Sequence, residues 1–126
     1  MSFTDDLETR TLQWALTTGS PTRPTAWYIG LFTAAPGEAG GGTEVTGGSY
    51  VRMAATFTVT GDTASNSAAI EWPAATASWG TITHVAVFDA LTTGNMLVYA
   101  ALTTSKAIAS GDILRIPLGD LDITLN

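Results

Sequence analysis

Ala74–Ala90 reads AATASWGTITHVAVFDA, and Thr43–Arg52 reads TEVTGGSYVR. Each stretch is a short turn rich in Thr, Gly and Ser that delivers a strand. Within Thr81–Asp89, Ile82, His84, Ala86 and Phe88 fall on one side and Val85 and Val87 on the other. That two-residue period belongs to β-structure. Neither stretch gathers groups that could do chemistry. Together they point to a small rigid β module whose task is packing.

Outward from these stretches the β pattern continues. From Tyr50 to Thr60, Val51, Met53, Ala55, Phe57 and Val59 alternate with Arg52, Ala54, Thr56, Thr58 and Thr60, as in a half-buried antiparallel strand. Gly61-Asp62 turns the chain, and Ser67–Trp72 is a short strand closed by Pro73. Thr92–Asn95 reads as a hairpin turn, Met96–Leu102 as a strand, and Thr103–Ile108 as a connection. Ile113–Pro117 and Leu121–Asn126 complete the set. Short strands at regular spacing with turn residues between them predict an antiparallel β-sandwich or jelly-roll-like barrel. Ala26–Thr33 is apolar on both faces, Trp27, Ile29 and Leu31 against Tyr28 and Phe32, so it is expected to be central and covered on both sides.

Two segments depart from this pattern. Ala34–Ser49 carries Pro36 and glycines at 37, 40, 41, 42, 47 and 48, and reads as a long surface loop without regular structure. It lacks the Gly-Lys-Ser/Thr ending of a phosphate loop. Thr4–Thr17 reads as the one helix, with Thr4, Asp5 and Asp6 suited to its positive end and Gly19 and Pro21 stopping it. At about 100° per residue, Phe3, Leu7 and Trp14 share one side, and Leu12, Ala15 and Leu16 lie roughly opposite. That split suits a helix held between its own sheet and something else.

The 126 residues, 45% of them apolar, predict one β-sandwich domain with a genuine core. Only 13% are charged, about half the usual share of roughly 25%. A surface of small neutral residues costs little to desolvate and suits cover by partners. The net charge is −6, and Arg10, Arg23, Arg52, Lys106 and Arg115 are scattered, which argues against direct nucleic-acid binding. With no Cys, disulfides and thiolate metal sites are excluded. No apolar run approaches the roughly 20 residues of a membrane span, and Met1–Arg10 does not resemble a secretory signal. A soluble protein made in the cytoplasm is expected.

Candidate chemistry is sparse. His84 is the lone histidine and lies on an apolar strand face, where a structural role is the simpler reading. No Ser/His/Asp set stands out, and no metal or cofactor site is expected. Asp120 and Asp122 alternate with Leu121 and Ile123 but lack the dense pattern of a calcium loop. Trp14 and Trp27 read as core. Trp72, beside Pro73, and Trp79, beside Gly80, read as turn-proximal and partly exposed, able to anchor a subunit or stack a sugar.

In order along the chain, LETRTLQWAL, PTAWYIGLFTAAPGEAGGGTEVTGGSYVR, WPAATASWGTITHVAVFD, GNMLVYAALTTSKAIASGD and LDITLN resemble a family of small tailed-bacteriophage structural proteins, commonly labelled phage tail fibre or virion structural protein. The resemblance implies a virion component and brings no catalytic residue and no cofactor. A fibre needs a shaft, a repeat or a coiled coil, and none is visible in the sequence. The expectation is therefore a capsid cement or decoration protein, a homotrimer that binds the major capsid protein or other virion proteins on the capsid surface. A tail fibre, tail-tip or baseplate component contacting the host is the alternative, and a carbohydrate-binding module using Trp72 and Trp79 is a third. Leu7, Leu12, Trp14 and Leu16 on the helix are the first candidates for subunit or shell contacts. Pro36, Glu44, Tyr50 and Arg52 in and after the Gly-rich loop, with Trp72, Trp79 and His84, complete them.

Overall fold

The computed structural model describes residues 1–125. The chain is mainly β, with antiparallel sheets in a sandwich-like arrangement and one helix near its N-terminus. Its elements are β1 (Ser2–Phe3), α1 (Asp5–Leu16), β2 (Trp27–Ala34), β3 (Thr43–Glu44), β4 (Met53–Ala55), β5 (Phe57–Thr60), β6 (Thr63–Asn66), β7 (Ile70–Glu71), β8 (Gly80–Phe88), β9 (Met96–Ile108), β10 (Arg115–Ile116) and β11 (Asp122–Thr124). The principal sheet runs β1-β9-β8-β2, with β3 and β4 both pairing along the far edge of β2. A three-stranded sheet, β11-β6-β5, and the β10-β7 pair make up the rest.

The core lies against one face of the principal sheet. Ile29 and Leu31 of β2 and Val85 and Val87 of β8 pack there with Ile70, Trp72, Trp79, Leu114 and Leu121 from the other layer. The opposite face holds a second, smaller cluster of Phe32, Ala86, Phe88 and Met96. Thus β2 is apolar on both faces and central, as its sequence requires. The helix does not cover that second face. The helix packs at the sheet edge, on β1 and β9, while Arg52 and Glu44 lie over this face beside the Gly-rich loop. Gly30 makes room for them: a Cβ there would stand 2.9 Å from the Phe88 ring and 3.0 Å from Glu44 Oε2.

The expected strand Tyr50–Thr60 is two strands. It breaks at Thr56, so that β4 joins the principal sheet and β5 pairs with β6 through the Gly61-Asp62 turn. The alternation survives the break, with Ala55 buried and Phe57 packed against the core, but Val51 and Val59 are exposed. A strand that changes sheets is how a sandwich turns a corner. Likewise Ser67–Trp72 is not one strand, since β6 ends at Asn66 and β7 spans only Ile70–Glu71. The Gly-rich segment is not wholly irregular: Gly37 and Gly40 form a bridge, and β3 pairs with β2.

Thr103–Ile108, expected as a connection, belongs to the 13-residue strand β9. The pairs Ile82↔Lys106 and His84↔Ala101 leave Leu102–Ser105 opposite Thr83, a wide bulge. Such bulges bend a ribbon and change which way its side chains face. Ile82 packs in the core with Val85 and Val87, instead of with Ala86 and Phe88. Asn66, one of two buried polar residues among the described residues, ties the β6–β7 connection to the β10–β11 connection. Its amide donates to the carbonyls of Ala68 and Pro117 at 2.9 Å each, and its Oδ1 accepts from Leu121 N–H at 2.9 Å.

Candidate functional site

The two stretches that mark the fold interlock physically. Trp79 Nε1 donates to the Gly48 carbonyl at 2.9 Å, and the Tyr50 ring meets Trp79 edge-on at 5.6 Å. Gly48 has φ +60°, and a Cβ there would lie 2.8 Å from Trp79 Nε1, so only glycine fits against the indole. The Tyr50 hydroxyl accepts from Leu31 N–H at 2.9 Å and donates to Glu44 Oε2 at 2.7 Å. Arg52 grips both carboxylate oxygens of Glu44, at 2.9 and 2.8 Å, and also donates to the carbonyls of Ala90 and Thr93. Its guanidinium carbon sits 3.5 Å above the Phe88 ring.

Electrostatics follow from this geometry. Burial works against ionisation of Glu44, but the hydrogen bonds from Arg52 and Tyr50 outweigh it and hold the carboxyl below its ordinary 4.5. Burial, then the hydrogen bond to Glu44, pushes the Tyr50 hydroxyl far above its ordinary 10. Glu44, Tyr50 and Arg52 therefore form a structural clamp that ties the Gly-rich segment to the hairpin after β8. Pro36 is buried within that segment. His84 is half-buried, its Nδ1 2.8 Å from Thr83 Oγ1.

Three of the four tryptophans reverse their expected places. Trp72 and Trp79 are 1% and 4% exposed and sit in the core, whereas Trp14 is 73% exposed. Proximity to a Pro or Gly turn misled, because these turns fold inward beneath the sheet. Trp27 packs against the core. With Trp72 and Trp79 enclosed, they offer no platform for a sugar, and the carbohydrate-binding alternative falls with them.

Among the described residues, three of the nine exposed large hydrophobics, Leu12, Trp14 and Leu16, lie together on α1. Thr4 caps this helix and anchors it: its N–H donates to Leu97 O at 2.9 Å and its hydroxyl to Met96 O at 2.7 Å. Beyond that anchor, α1 buries none of its residues. Leu12 and Leu16 are 57% and 77% exposed. Leu7 alone among its candidates packs partly on the core. On the Leu7–Trp14 flank a groove of about 380 Å³ opens between the helix and Pro21–Pro24. It shares Leu7, Arg23 and Pro24 with a second groove of about 430 Å³ that runs past Trp27, Phe57, Val59 and Ile123.

Acidic groups cluster at the other end of the helix. Ligand oxygens of Asp5, Glu8 and Glu38 lie within 4.8 Å of one another, all exposed. The positive end of the helix dipole favours the first two, and Glu38 accepts from the Tyr99 hydroxyl at 2.8 Å. That bond raises the Tyr99 hydroxyl above its ordinary value. Asp122 accepts from Ser65 and so has a structural partner, away from this cluster.

The family model for podophage GP4 fiber I protein gp80 matches residues 2–124. The chain belongs to that family. It is accordingly a virion structural protein of a bacteriophage, as its resemblance implied. No curated protein matches the chain. The match spans α1, the Gly-rich segment and every strand, so membership covers the exposed helix as well as the clamp.

Proposed function

We propose that the chain is a non-enzymatic fibre component of the phage particle, assembled as a closed homo-oligomer such as a homotrimer, with α1 as its assembly surface. The observation that carries this reading is the helix itself: it is pinned at Thr4 to a rigid sheet, yet presents Leu12, Trp14 and Leu16 to solvent. Exposed large apolar groups on a firmly held element are the mark of a surface made to be covered. The description of the matching family, a fibre protein, supports the tail over the capsid.

A capsid cement or decoration protein bound to the major capsid protein is the second reading. It is favoured by the low charge, 13% of residues, and by a body without repeat or coiled coil. Quantitative mass spectrometry of purified particles separates the two. A fibre component is expected at a small fraction of the shell protein's copy number. Copy numbers comparable to the shell protein would assign the chain to the capsid and overturn the fibre reading.

A further inference from the structure

The two flanks of α1 differ in kind, and each is half of a contact. Leu7 and Trp14 sit seven positions apart, nearly two full turns, and line the groove beside Pro21 and Pro24. Leu12 and Leu16, four apart, form a ridge on the opposite flank, and Asp5 shares that side of the helix. The groove is concave and apolar, and its charged wall is Arg10 and Arg23. The ridge is convex and apolar, and its charged neighbours are Asp5 and Glu8. Arg10 pairs with Asp6 at 3.0 Å, while Arg23 has no carboxylate within salt-bridge distance among the described residues. Shape and charge are thus complementary between two surfaces of the same chain, which cannot meet each other because they lie back to back on one helix.

We infer that the ridge of one copy docks into the groove of the next, so that α1 helices pack side by side in a head-to-tail ring. This rests on the proposed role of α1 as assembly surface and names its partner, a second copy of this chain. Different patches on the two partners make the contact heterologous, and a heterologous contact is satisfied everywhere only when the ring closes. Area favours the same arrangement. One flank of a helix about 18 Å long and about 10 Å wide covers about 180 Å². A stable interface takes roughly 800 Å² per partner. A ring uses both flanks of every helix, together with the groove beyond Trp27 and Val59, so a copy leaves it only by breaking two junctions; one junction alone is weaker and holds at high protein concentration. The carboxylates of Asp5 and Glu8 come to face Arg23 of the neighbour, which sets the order of the helices.

Sedimentation velocity and native mass spectrometry of the full chain test this. Wild type is expected to sediment as a closed oligomer. Leu12→Glu with Leu16→Glu removes the ridge, and Trp14→Glu spoils the groove; each variant alone is expected to be monomeric with an unchanged far-UV circular dichroism spectrum. An equimolar mixture of the two at high protein concentration retains one intact junction and is expected to give a two-chain complex and nothing larger. A symmetric, same-patch interface would leave that mixture monomeric and overturn the inference, as would either variant keeping the wild-type size. Monomeric wild type that still requires Leu12 and Leu16 for incorporation into particles would overturn the self-docking and leave the virion role of α1 standing.

Discussion

Replacing Arg52 with Ala removes the centre of the clamp. Arg52 is 9% exposed at its side chain and Glu44 23%, so the substitution strands a carboxylate that water reaches only in part. Removing one partner of a fully buried pair costs about 3–5 kcal/mol. Partial exposure of Glu44 scales this down, and the lost bonds to the carbonyls of Ala90 and Thr93 and the lost contact over Phe88 add to it. A net loss of about 2–4 kcal/mol follows. A domain of this length has a total stability of roughly 6–19 kcal/mol, so urea unfolding at neutral pH resolves the change easily. The cost is also expected to depend on pH. Without Arg52, burial dominates at Glu44 and raises its carboxyl, so protonation relieves the penalty. The gap between wild type and Arg52→Ala should therefore shrink as pH falls through 4.5, the ordinary value of that carboxyl. Glu44→Gln should shrink it at neutral pH in the same way. A cost under about 0.5 kcal/mol, the usual range for surface changes, or one that does not vary with pH, would refute the clamp.

Other substitutions read out the remaining core. Gly48→Ala combines a positive φ with a Cβ pressed on Trp79, and a loss of about 2–4 kcal/mol is expected from strain and overpacking; a variant as stable as wild type by thermal melting would contradict the interlock. Asn66→Ala leaves Leu121 N–H and two carbonyls without partners, and should cost about 2–4 kcal/mol in urea unfolding. Tyr50 binds its proton more tightly folded than unfolded, so its stabilising share is complete below pH 10 and fades as pH rises above it. Tyr50→Phe should flatten that alkaline loss; an identical alkaline profile in the variant would show that other groups cause it.

Much of this fold was legible in local pattern. The double apolar character of Trp27–Ala34 named the central strand, and Thr4 with the following acids marked the helix start. The Gly61-Asp62 turn and the alternation around it were equally plain. What escaped was non-local. A strand's period does not reveal that it changes partners at Thr56, nor that β9 bulges opposite Thr83. The tryptophans escaped for a related reason. Turn residues beside Trp72 and Trp79 speak of backbone direction, while burial depends on which layer the turn folds beneath. For Trp79 a signal did exist: the Gly47-Gly48 pair ahead of Tyr50 supplies the glycine its indole needs. The split apolar pattern of the helix was legible too, and α1 has no buried face to explain it.

Incorporation of the ridge variant into phage particles tests the role of α1 most directly. Particles produced with Leu12→Glu and Leu16→Glu in this chain, purified and quantified by mass spectrometry against the major capsid protein, are expected to lack the chain while the variant remains folded in the lysate. Incorporation at the wild-type level would contradict the assignment of the exposed helix as the assembly surface.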